Sequence, residues 1–133
     1  MKKIEHIGIA VRNLKNSNKV YESLLGSPPY KMEEVKSEGV HTSFFKIGES
    51  KVELLEAINP ESTISKFIDK RGEGMHHIAF LVDDIESEIL RLKREGFVVL
   101  NETPKKGADN KWVAFLHPKT TSGVLIELCQ EIK

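Results

Sequence analysis

The chain has 133 residues, enough for one domain with its own core and too few for two ordinary ones. With 39% hydrophobic and 30% charged residues it is neither disordered nor collagen-like. Its 20 basic residues are balanced by 20 acidic ones, which argues against the strongly basic face of a nucleic-acid binder.

A lone cysteine, Cys129, excludes an intrachain disulfide framework and suits a reducing compartment. No apolar run approaches the roughly 20 residues that cross a bilayer, and residues 1–6 lack the apolar stretch of a secretory signal. A cytoplasmic protein with no membrane partner is expected.

Residues 4–11 are rich in branched apolar side chains and predict a strand. Val20, Tyr21, Leu24 and Leu25 follow at helical spacing, with Gly26 placed to end the helix. Further strands are expected near 30–36 and at 40–47 and 51–58. Asn59-Pro60 opens a short helix over 59–72, with Ile64, Phe67 and Ile68 facing inward and Gly72 closing it. Asp84 is a good N-cap for a helix that carries Ile85, Ile89 and Leu92 on one face and stops at Gly96. Strand-like runs at 97–102, 112–117 and 124–130 complete the chain.

The order repeats. His6-Ile7-Gly8-Ile9-Ala10-Val11 is answered by His77-Ile78-Ala79-Phe80-Leu81-Val82, at an offset of 71. Lys51-Val52-Glu53-Leu54-Leu55-Glu56 is answered by Leu125-Ile126-Glu127-Leu128-Cys129-Gln130, at an offset of 74. The chain therefore reads as a single domain, 1–133, of two β-α-β-β-β repeats (1–58 and 75–133) joined by the helix at 59–72.

Strand side chains alternate between faces. His6 shares a face with Gly8 and Ala10, while Ile7, Ile9 and Val11 point the other way. His77 and Ala79 repeat that arrangement. Glu53 lies between Val52 and Leu54, and Glu127 between Ile126 and Leu128. A carboxylate on an interior sheet face is costly unless paired or metal-bound. Two imidazoles and two carboxylates at repeat-related positions make a candidate site for one divalent transition metal, with His–Glu ion pairs as the plainer alternative. His76 should face away from His77, and His117 precedes Pro118 at a strand end. Nothing in the repeat supports His41, and Cys129 reads as a buried inert thiol. Lys105, Lys106 and Lys111 read as a solvated basic loop that could meet the phosphates of an anionic ligand.

Four stretches carry a family resemblance: His6–Val11, Lys70–Phe80 with its Gly-Glu-Gly-Met-His-His core, Phe115–Lys119 and Gly123–Leu128. Through them the chain resembles the vicinal oxygen chelate (glyoxalase-like) superfamily and, within it, the methylmalonyl-CoA epimerase family. The resemblance implies an α+β fold in which two tandem βαβββ modules pair into one open, barrel-like mixed sheet with helices outside. It implies His6, Glu53, His77 and Glu127 as metal ligands, with cobalt favoured over zinc, nickel or manganese, in a chain that forms a homodimer. The implied substrate is an acyl-CoA thioester. The implied reaction interconverts (R)- and (S)-methylmalonyl-CoA through a metal-stabilised enolate, with Glu127 and Glu53 as the catalytic acids and bases. Some epimerases carry Gln where this chain has Glu53, so the ligand set also equals that of lactoylglutathione lyase. A non-catalytic ligand-sequestering protein is the third reading. Some relatives also bear an acid on the strand after Gly39-Val40, where this chain has His41 and Thr42.

Overall fold

The computed structural model describes the whole chain, Met1–Lys133. Its elements follow the tandem order: β1 (Lys3–Ala10), α1 (Leu14–Leu25), β2 (Lys31–Val35), β3 (Val40–Ile47) and β4 (Ser50–Ala57). Then come α2 (Thr63–Arg71), β5 (Gly74–Leu81), α3 (Ile85–Arg94), β6 (Lys105–Lys106), β7 (Lys111–Leu116) and β8 (Leu125–Glu131). The strands form one eight-stranded sheet in the order β2-β3-β4-β1-β5-β8-β7-β6. The pair β5/β8 is parallel and the pairs β2/β3, β3/β4, β6/β7 and β7/β8 are antiparallel, so the sheet is mixed. No helix is long and apolar enough to cross a membrane. Two compact units divide the chain, Ile7–His76 in one and Met1–His6 with His77–Lys133 in the other.

In the unit Ile7–His76, Asn13 caps α1 by accepting from the Asn16 amide, and Gly26 ends it at φ +82°. Leu14, Tyr21 and Leu25 pack with Val11, Phe45 and Leu54. Val20 and Leu24, which fall at helical spacing with Tyr21 and Leu25, are 61% and 70% exposed. The stripe that packs runs through Leu14, Tyr21 and Leu25 at steps of seven and four, and Val20 and Leu24 each sit one position off it. Helix α2 begins at Thr63 rather than at Asn59. Ser62 accepts from the Ser65 amide as its cap, while Asn59 spends its side chain in a turn, accepting from the Glu61 amide. Gly39, at φ +68°, joins β2 to β3, and a Cβ there would stand 2.9 Å from Ser62 Cβ. Both the backbone and the close approach require glycine.

In the other unit, Asp84 caps α3, accepting from the Ser87 amide and hydroxyl. Ile85, Ile89 and Leu92 pack with Val82, Ala114, Leu116 and Leu128. The run 97–102 does not form a strand. Val99 makes one bridge to Leu116, flanked by backbone bonds from the Leu100 amide to the Phe115 carbonyl and from the His117 amide to the Val98 carbonyl. Beyond it the Asn101 side chain donates to the Val113 carbonyl (3.1 Å) and accepts from the Phe115 amide (2.8 Å). Lys111, expected in a solvated loop, is buried in β7, its ammonium 3.3 Å from the Asp109 carbonyl.

Candidate metal centre

Three of the four expected donors meet in the unit that holds Met1–His6 and His77–Lys133. His6 comes from β1, His77 from β5 and Glu127 from β8, and all three are buried. The parallel register sets Ala79 opposite Glu127, so His77, two residues before Ala79, shares the carboxylate's face. Small Ala79 leaves room there for both polar groups.

The distances are short. His6 Nε2 lies 3.0 Å from His77 Nε2, His77 Nε2 lies 3.2 Å from Glu127 Oε1, and His6 Nε2 lies 3.6 Å from the same oxygen. Two donors each about 2.1 Å from one ion stand roughly 3 Å apart. The trio therefore fits a divalent ion in spacing as well as in chemistry, and imidazole with carboxylate suits cobalt, zinc, nickel or manganese. The rings of His6 and His77 meet edge to face, centroids 5.1 Å apart. Phe115 lies edge to face beside His77, 6.4 Å between centroids, and Lys105 reaches over Phe115 from β6.

Burial on its own would raise the Glu127 carboxyl. The charges and hydrogen bonds of His6 and His77 outweigh burial and hold it well below the usual carboxylate range. It stays ionised at neutral pH.

Glu53 is buried on β4 in the unit Ile7–His76, opposite Phe44 of β3. Its face also carries Thr42 and Leu55, while Leu54 and Ser43 share the face that packs on α1. The remaining histidines do other work. His76 packs edge to face on Phe67, His41 lies 3.8 Å from Glu34, and His117 Nδ1 accepts from the Lys119 amide. Cys129 is fully buried, its Sγ 3.5 Å from the Phe80 carbonyl.

Repeat logic misses one residue. Glu5 is buried on β1, and its Oε1 stands 2.8 Å from His6 Nδ1. Its signal in the sequence is a carboxylate inside an apolar strand, directly before a candidate ligand.

Comparison with known proteins matches residues 5–115 to the family model of the glyoxalase/bleomycin resistance protein/dioxygenase superfamily. The mitochondrial methylmalonyl-CoA epimerase of Homo sapiens is 37% identical over 129 residues, covering 96% of this chain and 73% of that one. The ethylmalonyl-CoA/methylmalonyl-CoA epimerase of Cereibacter sphaeroides is 37% identical over 130 residues, 96% of this chain and 97% of that one. Among solved structures, a Streptomyces coelicolor methylmalonyl-CoA epimerase variant in complex with 2-nitronate-propionyl-CoA superposes with a TM-score of 0.94. It is 34% identical and covers 98% of this chain and 95% of that chain.

Proposed function

The chain belongs to the glyoxalase/bleomycin resistance protein/dioxygenase superfamily and to its methylmalonyl-CoA epimerases, an isomerase family, and from that premise we propose that it interconverts (R)- and (S)-methylmalonyl-CoA. The observation that carries this reading is the buried convergence of His6 Nε2, His77 Nε2 and Glu127 Oε1 within 4.8 Å of one another. A buried set of this kind is costly in a chain that does not use it.

His6, His77 and Glu127 would hold one divalent ion, cobalt being the one the resemblance favours, with Glu53 as the fourth ligand. When bound, the ion would supply Lewis-acid stabilisation of the negative charge that gathers on the thioester carbonyl oxygen as the α-proton leaves. The rest falls to the protein. Epimerisation needs a proton removed on one face of the α-carbon and returned on the other, so two groups must stand on opposite sides. Glu127 is assigned the first role, as the carboxylate whose Oε1 lies 3.2 and 3.6 Å from the two imidazoles and which carries a second oxygen besides it. Glu53, from the repeat-related strand, is assigned the other. Burial of the trio, with Phe115 beside His77, keeps bulk water away from the exchanging proton. The working form is a cytoplasmic homodimer.

The test is to incubate metal-loaded protein with methylmalonyl-CoA in deuterated water and read α-deuterium by mass spectrometry. Catalysed exchange is expected. Absence of exchange, with turnover of the methylglyoxal–glutathione hemithioacetal in its place, would move the assignment to lactoylglutathione lyase.

A further inference from the structure

An imidazole that ligates an ion through one ring nitrogen needs its other nitrogen held, because that second bond sets both the tautomer and the ring plane. In this chain the holding group stands one residue before the ligand. Glu5 Oε1 lies 2.8 Å from His6 Nδ1, and both side chains are almost wholly buried, 5% and 7% exposed. An ionised carboxylate can only accept. Beside an ionised Glu5, Nδ1 carries the hydrogen and donates it, and a neutral His6 then has no hydrogen on Nε2. Nε2 is the atom that points into the trio, 3.0 Å from His77 Nε2 and 3.6 Å from Glu127 Oε1.

We propose that Glu5 is a positioning residue of the metal centre: by accepting the Nδ1 hydrogen it fixes His6 in the tautomer and plane that present Nε2 to a divalent ion. The inference rests on the metal reading above. It also marks a place where the two repeats part. The residue before His77 is His76, whose ring packs on Phe67, so an acid precedes only the first of the two ligand histidines.

The test titrates cobalt(II) into the wild-type chain, Glu5→Gln and Glu5→Leu, following visible absorption. Gln keeps an oxygen that can accept from Nδ1, whereas Leu fills similar space without an acceptor. Glu5→Leu is expected to bind cobalt roughly 10- to 100-fold more weakly, the usual loss when such a supporting partner is removed, with Glu5→Gln restoring most of that affinity. Wild-type binding with unchanged affinity in Glu5→Leu overturns the role of Glu5 and leaves the metal reading intact. Equal loss in both variants also overturns it, since orientation would then not be what Glu5 supplies. Failure of the wild-type chain to bind cobalt overturns the metal reading itself, and this inference with it. Should Glu5→Leu not fold, long-range proton–nitrogen correlation spectra of the zinc-loaded wild-type chain decide the matter. A protonated Nδ1 and a zinc-bound Nε2 on His6 support the proposal, and the reverse arrangement overturns it.

Discussion

His6 Nε2 and His77 Nε2 lie 3.0 Å apart although 71 residues separate them in the chain. Two imidazole nitrogens at that distance share a hydrogen, and an ion entering between them must take the lone pair that hydrogen occupies. Metal binding and protonation therefore compete at the same atoms. The apparent affinity for cobalt(II) is expected to fall as pH is lowered, by about tenfold per pH unit for each proton displaced. Calorimetric titration in buffers of different ionisation enthalpy would count those protons, and an affinity indifferent to pH would exclude ligation through Nε2.

Replacing His77 with Ala removes one donor of the trio without adding bulk. Occupancy measured by elemental analysis should drop sharply. Metal at a hundredfold excess over its Kd would stabilise the wild-type chain by about 2.7 kcal/mol, and the melting temperature of the variant should no longer respond to that addition. An unchanged thermal response in His77→Ala would remove His77 from the ligand set.

The metal-free chain should show the imprint of the same cluster in acid. The folded Glu127 carboxyl lies below its ordinary value because His6 and His77 overcome the effect of burial. A carboxyl depressed by folding contributes stability that is complete above its unfolded pKa, about 4.3, and is lost as pH falls from there toward the folded value. Urea unfolding of Glu127→Gln should accordingly be flatter than wild type between about pH 5 and pH 3. Parallel curves would mean that the pairing stores no folding energy.

Much of this site is legible in the sequence because a polar residue inside an apolar strand is conspicuous, and its recurrence half a chain later removes the coincidence. That reasoning singles out His6, His77, Glu53 and Glu127, of which His6, His77 and Glu127 stand together in one unit, and it passes over Glu5 because the second repeat has His76 where the first has an acid. Glu5 acts through a neighbour on its own strand, which periodicity cannot register. Helix α1 shows a different shortfall. Val20 and Leu24 have the apolar character of a packed face, but adjacent stripes on a helix differ by one position, and the choice between them is made by what Phe45 and Leu54 present. The run 97–102 has strand-like residues, yet its backbone pairing with 115–117 is confined to Val98–Leu100 and gives way at Asn101 to side-chain bonds, which composition cannot reveal.

Asn101 is then open to a direct check. Its amide satisfies the Val113 carbonyl and the Phe115 amide, and Phe115 lies beside His77. Asn101→Ala leaves two partly buried backbone groups without those partners, at a cost of about 1–3 kcal/mol in chemical denaturation. A loss under a few tenths of a kcal/mol would show that water replaces the side chain without penalty.

The division of labour between the two acids is the sharpest test of mechanism. Deleting either carboxylate confuses ligation with proton transfer, so Glu→Gln is the better probe: the amide oxygen still coordinates, while the amide cannot serve as a base at neutral pH. Glu127 lies close to the imidazoles of both His77 and His6, at 3.2 and 3.6 Å. Glu127→Gln is expected to retain much of the metal and lose turnover by roughly two to four powers of ten, the usual worth of a positioned acid or base. Epimerases that this chain resembles accept Gln where Glu53 stands, so Glu53→Gln should keep metal, while epimerisation slows because the opposite-face acid or base is gone. Deuterium exchange adds resolution that turnover lacks. If the two acids serve opposite faces, Glu53→Gln should still wash deuterium into one epimer faster than it forms the other. Should Glu53→Gln abolish exchange while Glu127→Gln does not, the principal base is Glu53 and the assignment here is reversed.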